Sequence, residues 1–333
     1  MKKYIVLLIK ILITAGLIWL LLSKVDFSKL LTEIKNIDKT AFVLAVIAMF
    51  GGWLFNTWRW EALLKIFNFH IATFKLFLYN LVSIFYSFVL PGGKITSDVV
   101  RAYQVARDHN GLKSEKHQLF LLTFIDRGLG VLSLMFFVSF YFILGHPAIY
   151  AFGENTALVG IILIAGTIFG LGLIFTGYFD GVLKFFLKIP LRSWQKLIQL
   201  LYDSLRARAH GRRKLFESFA LSLGSVFMGG LSAYFISTAL GIDANYWTMT
   251  FFYSLAVILI VIPVTVAGIG LREGGFAYLL VQIGTAPEKA LASSLLSLAV
   301  LMTMAVAGGL VEFYDHFLRP KPVATPSEET PSV

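Results

Sequence analysis

Asp126-Arg127 lies inside an unbroken apolar run, residues 117–144, about ten residues from its start. A charged side chain at the centre of a membrane helix costs ~2.5–3.5 kcal/mol on insertion scales, so such residues are buried, paired and commonly functional. Neighbours on a helix point ~100° apart, so the two do not pair face to face and each needs another partner. An inter-helix ion pair and a headgroup site both satisfy that need. Trp58-Arg59-Trp60-Glu61 closes an earlier apolar run. Aromatics around an arginine fit an interfacial belt with Arg59 snorkelling to the headgroups. They equally fit a vestibule where Arg59 meets lipid phosphate.

Two glycine turns carry the strongest signal. Apolar runs 74–90 and 247–262 each meet a proline and then glycine: Pro91-Gly92-Gly93-Lys94-Ile95-Thr96-Ser97-Asp98, and Pro263-Val264-Thr265-Val266-Ala267-Gly268-Ile269-Gly270-Leu271-Arg272-Glu273. Thr96, Ser97 and Asp98 predict a helix N-cap, with the helix continuing through Arg101 and Tyr103. A second helix is expected from Leu271-Arg272-Glu273. Two helix N-termini aimed into the protein would form an anion site, to which Arg101 and Arg272 add charge. Asp98 and Glu273 are expected to cap, to pair with arginine or to carry a coupling proton. Glycine turns with local caps at the membrane edge remain the plainer alternative.

Other chemistry is missing from the sequence. Gly93-Lys94-Ile95-Thr96 fails the P-loop pattern, because Phe88 stands where its first glycine belongs and Ile95 follows the lysine. The six histidines show no metal-ligand spacing, and no G-x-S-x-G occurs. With no cysteine, thiolate metal sites, disulfides and cysteine nucleophiles are excluded. No cofactor is expected, and no ATPase, metallohydrolase or serine hydrolase.

The elements that must position these residues follow from composition. The chain has 333 residues, 57% apolar and 14% charged, with a mean hydropathy of +0.78. Soluble domains carry roughly 25% charged residues. An all-α polytopic membrane protein is expected, and the net charge of +10 then reflects cytoplasmic loops and anionic lipid rather than nucleic acid. A helix crosses a bilayer with about 20 apolar residues. That predicts spans near 4–22, 41–60, 117–144, 156–178, 215–240 and 288–312. Runs 74–90 and 247–262 fit the charge pattern best as re-entrant hairpins, with eight ordinary spans with kinked ends as the plainer alternative. Segments 92–117 and 181–214 are basic and therefore cytoplasmic, whereas 145–155 and 241–246 carry no Lys or Arg. Both termini are expected in the cytoplasm of a cell-membrane protein. Loop 23–40 falls outside despite four lysines, against the rule. Six spans and two hairpins of opposite entry form a pseudo-inverted repeat, with halves near 1–150 and 156–318 in one domain, 1–318. Segment 181–214 reads as an amphipathic interfacial element, and 319–333 as a disordered tail.

In this order and spacing the motifs resemble the lysylphosphatidylglycerol synthase transmembrane region, a flippase-like family. They are Arg59-Trp60, Pro91-Gly92-x-x-x-x-Ser97-Asp98-x-x-Arg101, Asp126-Arg127 and Gly268-Ile269-Gly270-Leu271-Arg272-Glu273. The resemblance covers about residues 5–315. Two departures stand out: Ser97 replaces a usual glycine, and Asp126-Arg127 replaces Glu-Arg. A stand-alone flippase-like domain is expected, without the aminoacyltransferase domain of fused relatives. The resemblance implies movement of an anionic or glycosylated lipid between leaflets, such as an aminoacyl-phospholipid or a polyprenyl-phosphate-linked sugar. Its headgroup would meet Arg59, Gly92, Gly93, Asp98, Arg101, Asp126, Arg127, Gly268, Gly270, Arg272 and Glu273. Two alternatives stand beside it. One is a membrane-embedded glycosyltransferase using Asp26, Glu33 or Asp38; the other is a non-catalytic partner of a glycosyltransferase or lipid synthase.

Overall fold

The computed structural model describes residues 26–90, 93–108, 115–144, 156–175, 211–261 and 270–318. The predicted first span, segment 181–210, the loop 145–155, the tail 319–333, Gly92 and Gly268 lie outside these residues. Among the described residues the chain forms ten α-helices, and no strand occurs among them. We number them α1 Phe27–Lys35, α2 Lys39–Ile66, α3 Thr73–Val89, α4 Lys94–Asp108, α5 Glu115–Ile143, α6 Thr156–Phe175, α7 Gly211–Ala239, α8 Tyr246–Val261, α9 Leu271–Gln282 and α10 Pro287–Phe313. A π-helical turn, Tyr314–Leu318, follows α10.

Four described helices are long and apolar enough to cross a membrane: Lys39–Ile66, Leu122–Ile143, Arg213–Ala239 and Pro287–His316. They correspond to the expected spans 41–60, 117–144, 215–240 and 288–312. The 156–178 span is described as far as Phe175, and three shorter apolar helices, Thr73–Val89, Ala157–Gly172 and Tyr246–Ile260, complete the apolar set. The protein is a multi-pass helical membrane protein.

Segment 23–40, expected as a loop, contains a helix. Asp26 starts α1 by accepting from the Ser28 and Lys29 N–H groups, and Asp38 starts α2 by accepting from those of Thr40 and Ala41. Such caps each contribute ~1 kcal/mol. Leu30 is the buried contact of α1, which packs on α10.

The most extensive packing joins α2 and α7, and small residues make it possible. A Cβ on Gly52 would sit 3.4 Å from the Ser225 carbonyl oxygen. Polar groups stitch the same seam: Asn56 Nδ2 donates to Ser225 Oγ at 2.8 Å, and Ser232 Oγ donates to the Ala45 carbonyl at 2.9 Å. Without a hydrophobic drive between helices in lipid, such close contacts and hydrogen bonds hold a membrane bundle together.

Helices α3 and α4 form an antiparallel hairpin. Ser97 Oγ donates to Ser83 Oγ near the tip at 3.0 Å, Arg101 Nη1 reaches Asn80 Oδ1 at 3.4 Å, and Tyr79 hydroxyl donates to Asp108 at the open end. Helices α8 and α9 also pack together, with Leu259 against Gly275. The packing has a crossed pattern: α2 pairs with α7, α3 with α10, and α8 with α5. Each hairpin's first helix therefore packs on the long helix that follows the other hairpin.

At the α3–α10 crossing, a Cβ on Gly308 would lie 2.0 Å from the Leu81 carbonyl oxygen, whereas one on Gly309 would meet only the Phe85 ring at 3.0 Å. Backbone cannot give way as a ring can. Gly308→Ala is expected to lower the melting temperature in detergent, corresponding to about 1–3 kcal/mol of overpacking, and Gly309→Ala to change it less. Equal melting of both variants would contradict this close approach.

Candidate functional site

Helices α2 and α4 each pack on α5, and the charges the three carry meet inside. Arg59 on α2 donates through Nε to Asp126 Oδ1 on α5 at 2.6 Å. Arg101 on α4 donates through Nη2 to Asp126 Oδ2 at 2.9 Å. Both carboxylate oxygens are thereby taken. Arg101 also approaches Asp98 Oδ1 at 3.4 Å, and the second oxygen of Asp98 accepts from Arg127 Nε. Asp126 and Arg127 thus find separate partners on other helices, as their ~100° offset requires. Three arginines and two aspartates leave the cluster one positive charge in excess.

Burial divides the arginines. Side-chain exposure is 10% for Arg59 and 6% for Arg101 but 34% for Arg127. The snorkelling reading of Arg59 is overturned, because the side chain is buried and ion-paired rather than at the surface. Trp60 is fully buried, with its ring 4.1 Å from the Arg101 guanidinium carbon. Of the expected aromatic belt, only Trp58 is exposed.

The N-cap expectation at Thr96, Ser97 and Asp98 is also corrected. Gly93, with φ +54°, makes the turn and α4 begins at Lys94. These three residues therefore sit inside the helix, and Asp98 is free to face the arginines. At the other turn Gly270 has φ +88°, a conformation glycine adopts without a Cβ clash. Glu273 reaches back to the Gly270 N–H at 2.8 Å and pairs with Arg272 Nε at 2.8 Å. Its own carboxylate thus already meets the positive end of α9. Ser294 Oγ on α10 fixes the start of α9 by donating to the Glu273 carbonyl at 3.0 Å.

Gly93, Ser97, Arg59, Asp126, Arg127 and Arg272 share one cavity of about 370 Å³. The structure thus brings both glycine-led helices and three of the arginines to a common space. Arg101 supports it from behind through Asp126. The sequence reading missed Asn80, which donates to Thr57 Oγ1 at 2.8 Å besides meeting Arg101. It also missed Ser222, which accepts from Arg59 Nη1 at 3.1 Å. Asn80 within an apolar run was a visible signal. The α7 set Ser218, Ser222, Ser225, Gly229 and Ser232 repeats at helical spacing, but small polar residues are common in membrane helices and carried no distinction.

Two of the three acids of the glycosyltransferase alternative, Asp26, Glu33 and Asp38, have structural roles. Asp26 and Asp38 spend their carboxylates on helix caps, well suited to structure rather than proton transfer. Among the described residues no group of three metal-ligating side chains occurs.

Removing one member of a buried ion pair strands its partner, at roughly 3–5 kcal/mol; Asp126 serves two buried guanidiniums, whereas Asp98, if Arg127 is removed, still faces Arg101. Asp126→Asn should therefore depress thermal stability strongly, and Arg127→Ala only mildly. Melting curves of the purified proteins check the order, and equal losses would contradict it.

No curated protein matches the chain. The lysylphosphatidylglycerol synthase TM region does match, over residues 7–309 of 333. This is a membrane family of lipid-related, flippase-like domains, separate from the catalytic transferase domain. The match spans nearly the whole chain and takes in Arg59, the α3–α4 hairpin, Asp126-Arg127 and the turn before α9. The chain belongs to the lysylphosphatidylglycerol synthase TM region family.

Proposed function

We propose that the protein moves an anionic or glycosylated lipid between the leaflets of the cell membrane, as a flippase or scramblase. One observation carries the reading: Arg127 is a third exposed and lines a cavity among apolar helices. A volume of about 370 Å³ falls within the ~300–1,000 Å³ of small-molecule sites and suits a headgroup. The lipid tails stay in the bilayer while the headgroup passes through.

Asp98 supplies a mechanism. It is shared between Arg101 and Arg127. A lipid phosphate that displaces it from Arg127 leaves it paired with Arg101, so no carboxylate is stranded. Arginine suits this exchange, since its planar fork binds phosphate through two parallel hydrogen bonds. Arg272 provides the second grip. Transport then runs down a lipid gradient or is coupled to an ion gradient.

The crossed packing of the two hairpins supports an inverted repeat, with both hairpins re-entrant and their glycine tips near mid-membrane. Irregular backbone is tolerated there only where it lines a cavity or is covered by protein. The basic segments favour cytoplasmic termini and six full spans. In this cysteine-free chain, a cysteine placed at Asn110 should be labelled from the cytoplasm alone. Labelling from outside would make the first hairpin a full span.

Liposomes holding the reconstituted protein and an acyl-labelled anionic lipid test the function. The wild type should speed translocation well above protein-free vesicles. Arg127→Ala and Arg272→Ala should abolish it, and Arg127→Lys should retain insertion but transport poorly. No acceleration by the wild type for any anionic or glycosylated lipid would overturn the reading.

A further inference from the structure

The walls of the cavity are unevenly covered. Val226, Ile236, Ala256 and Phe276 line it from α7, α8 and α9 and are buried. Ile95, in the first turn of α4, lines it as well yet is 51% exposed. Among the described lining residues it alone is exposed, so one edge of the cavity wall lies at Ile95. On α5, Phe124 and Gly128 flank Arg127 and are exposed too. A Cβ on Gly128 would meet no atom within 4 Å. The open edge therefore lies between the start of α4 and the Phe124–Gly128 turn of α5.

Helix α4 sorts its residues by face. Ser97, Asp98, Arg101 and Gln104 are buried. Ile95, Val99, Tyr103 and Arg107 recur at every fourth residue and are exposed, a spacing that keeps them on one stripe of a helix. Apolar residues followed by tyrosine and arginine are the order met where a helix passes from hydrocarbon to headgroups. Val89 and Leu90, exposed at the end of α3, carry the apolar surface on at the hairpin tip. Helix α4 is thus a wall one helix thick, with charge on its buried face and hydrocarbon-compatible side chains on the other. The stripe and the cavity share Ile95.

We propose that a lipid in transit enters sideways between α4 and α5, over Ile95, and lays a hydrocarbon chain along Ile95, Val99 and Tyr103 while its headgroup reaches Arg127. The stripe is a binding site for an acyl or prenyl chain and reads no headgroup. Drawing methylenes into a cavity lined by guanidiniums and hydroxyls is unfavourable, whereas on this stripe they keep apolar neighbours throughout. The proposal rests on the translocation reading above and adds the path to it. Val306 on α10 is a built-in reference: it is exposed but does not line the cavity, so it meets ordinary bilayer lipid.

Two measurements on the full chain in liposomes test it. In the first, the wild type is irradiated with phosphatidylglycerol, phosphatidylcholine or a prenyl phosphate, each carrying a diazirine in its hydrocarbon chain, and the adducts are mapped by mass spectrometry. Adducts on Ile95, Val99 and Tyr103 should be about fivefold more abundant with an anionic lipid than with phosphatidylcholine, while those on Val306 should not depend on the headgroup. The anionic lipid with the larger enrichment tells acyl from prenyl. In the second, Ile95→Trp, which narrows the opening from its exposed edge, should slow translocation of acyl-labelled phosphatidylglycerol about tenfold with an unchanged melting temperature, and Val306→Trp should leave the rate within about twofold. If Ile95→Trp fails to insert, the adduct map alone decides. Adducts on α4 that ignore the headgroup, or Ile95→Trp crossing at the wild-type rate, would overturn the proposal while leaving lipid translocation standing. A disulfide-linked dimer formed by Val99→Cys would give the stripe to a second copy and overturn it as well. Failure of the wild type to move any lipid would overturn both this proposal and the transport reading.

Discussion

The Asp126 carboxylate, held between Arg59 and Arg101, is the interaction on which the interior depends. Its three residues come from α2, α5 and α4. In a low-dielectric interior an unpaired charge is costly, and a pair is tolerated only with close to complete hydrogen bonding. The three helices are therefore tied in one register: sliding any of them would strand a charge. The Trp60 ring lies against Arg101 and the Ser222 hydroxyl accepts from Arg59, while Arg101 Nε is buried without a hydrogen-bond partner among the described residues.

This constraint also creates the site. Two carboxylates cannot neutralise three guanidiniums, so one positive charge remains in the cluster, and Arg127 is the most exposed of the three. The hairpin tip at Gly93 brings Ser97 and Asp98 beside it, while the second turn brings Arg272 to the same cavity. The seam between α2 and α7 closes on small residues and serine hydroxyls, which leaves a polar wall along α7. The structure thus holds a rigid paired core next to an arginine whose partner can be exchanged.

Much of this was legible in the sequence, for definite reasons. The four long apolar helices follow from run length alone. Asp126-Arg127 declared themselves because ionised groups are so rarely placed in an apolar run. The glycine turns were visible because proline and glycine interrupt two runs that otherwise resemble spans. Less legible was which partner each charge would take. Arg59 looks interfacial because Trp58 and Trp60 flank it, yet the identity of Asp126 as its partner depends on helix contacts 67 residues apart in sequence. Asp98 looked like a cap because Asp favours caps, but Gly93 already makes the turn. Helix α1 was read as loop since its nine residues are short and polar, and the real caps, Asp26 and Asp38, were taken as candidate acids. The serine wall went unseen because serine is ordinary in membrane helices and gains meaning only when several face one space.

The central claim is that a lipid phosphate enters the protein at Arg127 rather than passing around it. The most direct test is an electron cryo-microscopy structure of the protein in nanodiscs containing its transported lipid. The account predicts headgroup density inside the cavity, with phosphate oxygens about 2.7–2.9 Å from the Arg127 guanidinium and the Asp98–Arg127 contact opened. Headgroup density confined to the two bilayer surfaces, with Arg127 still closed on Asp98 in every class, would contradict it.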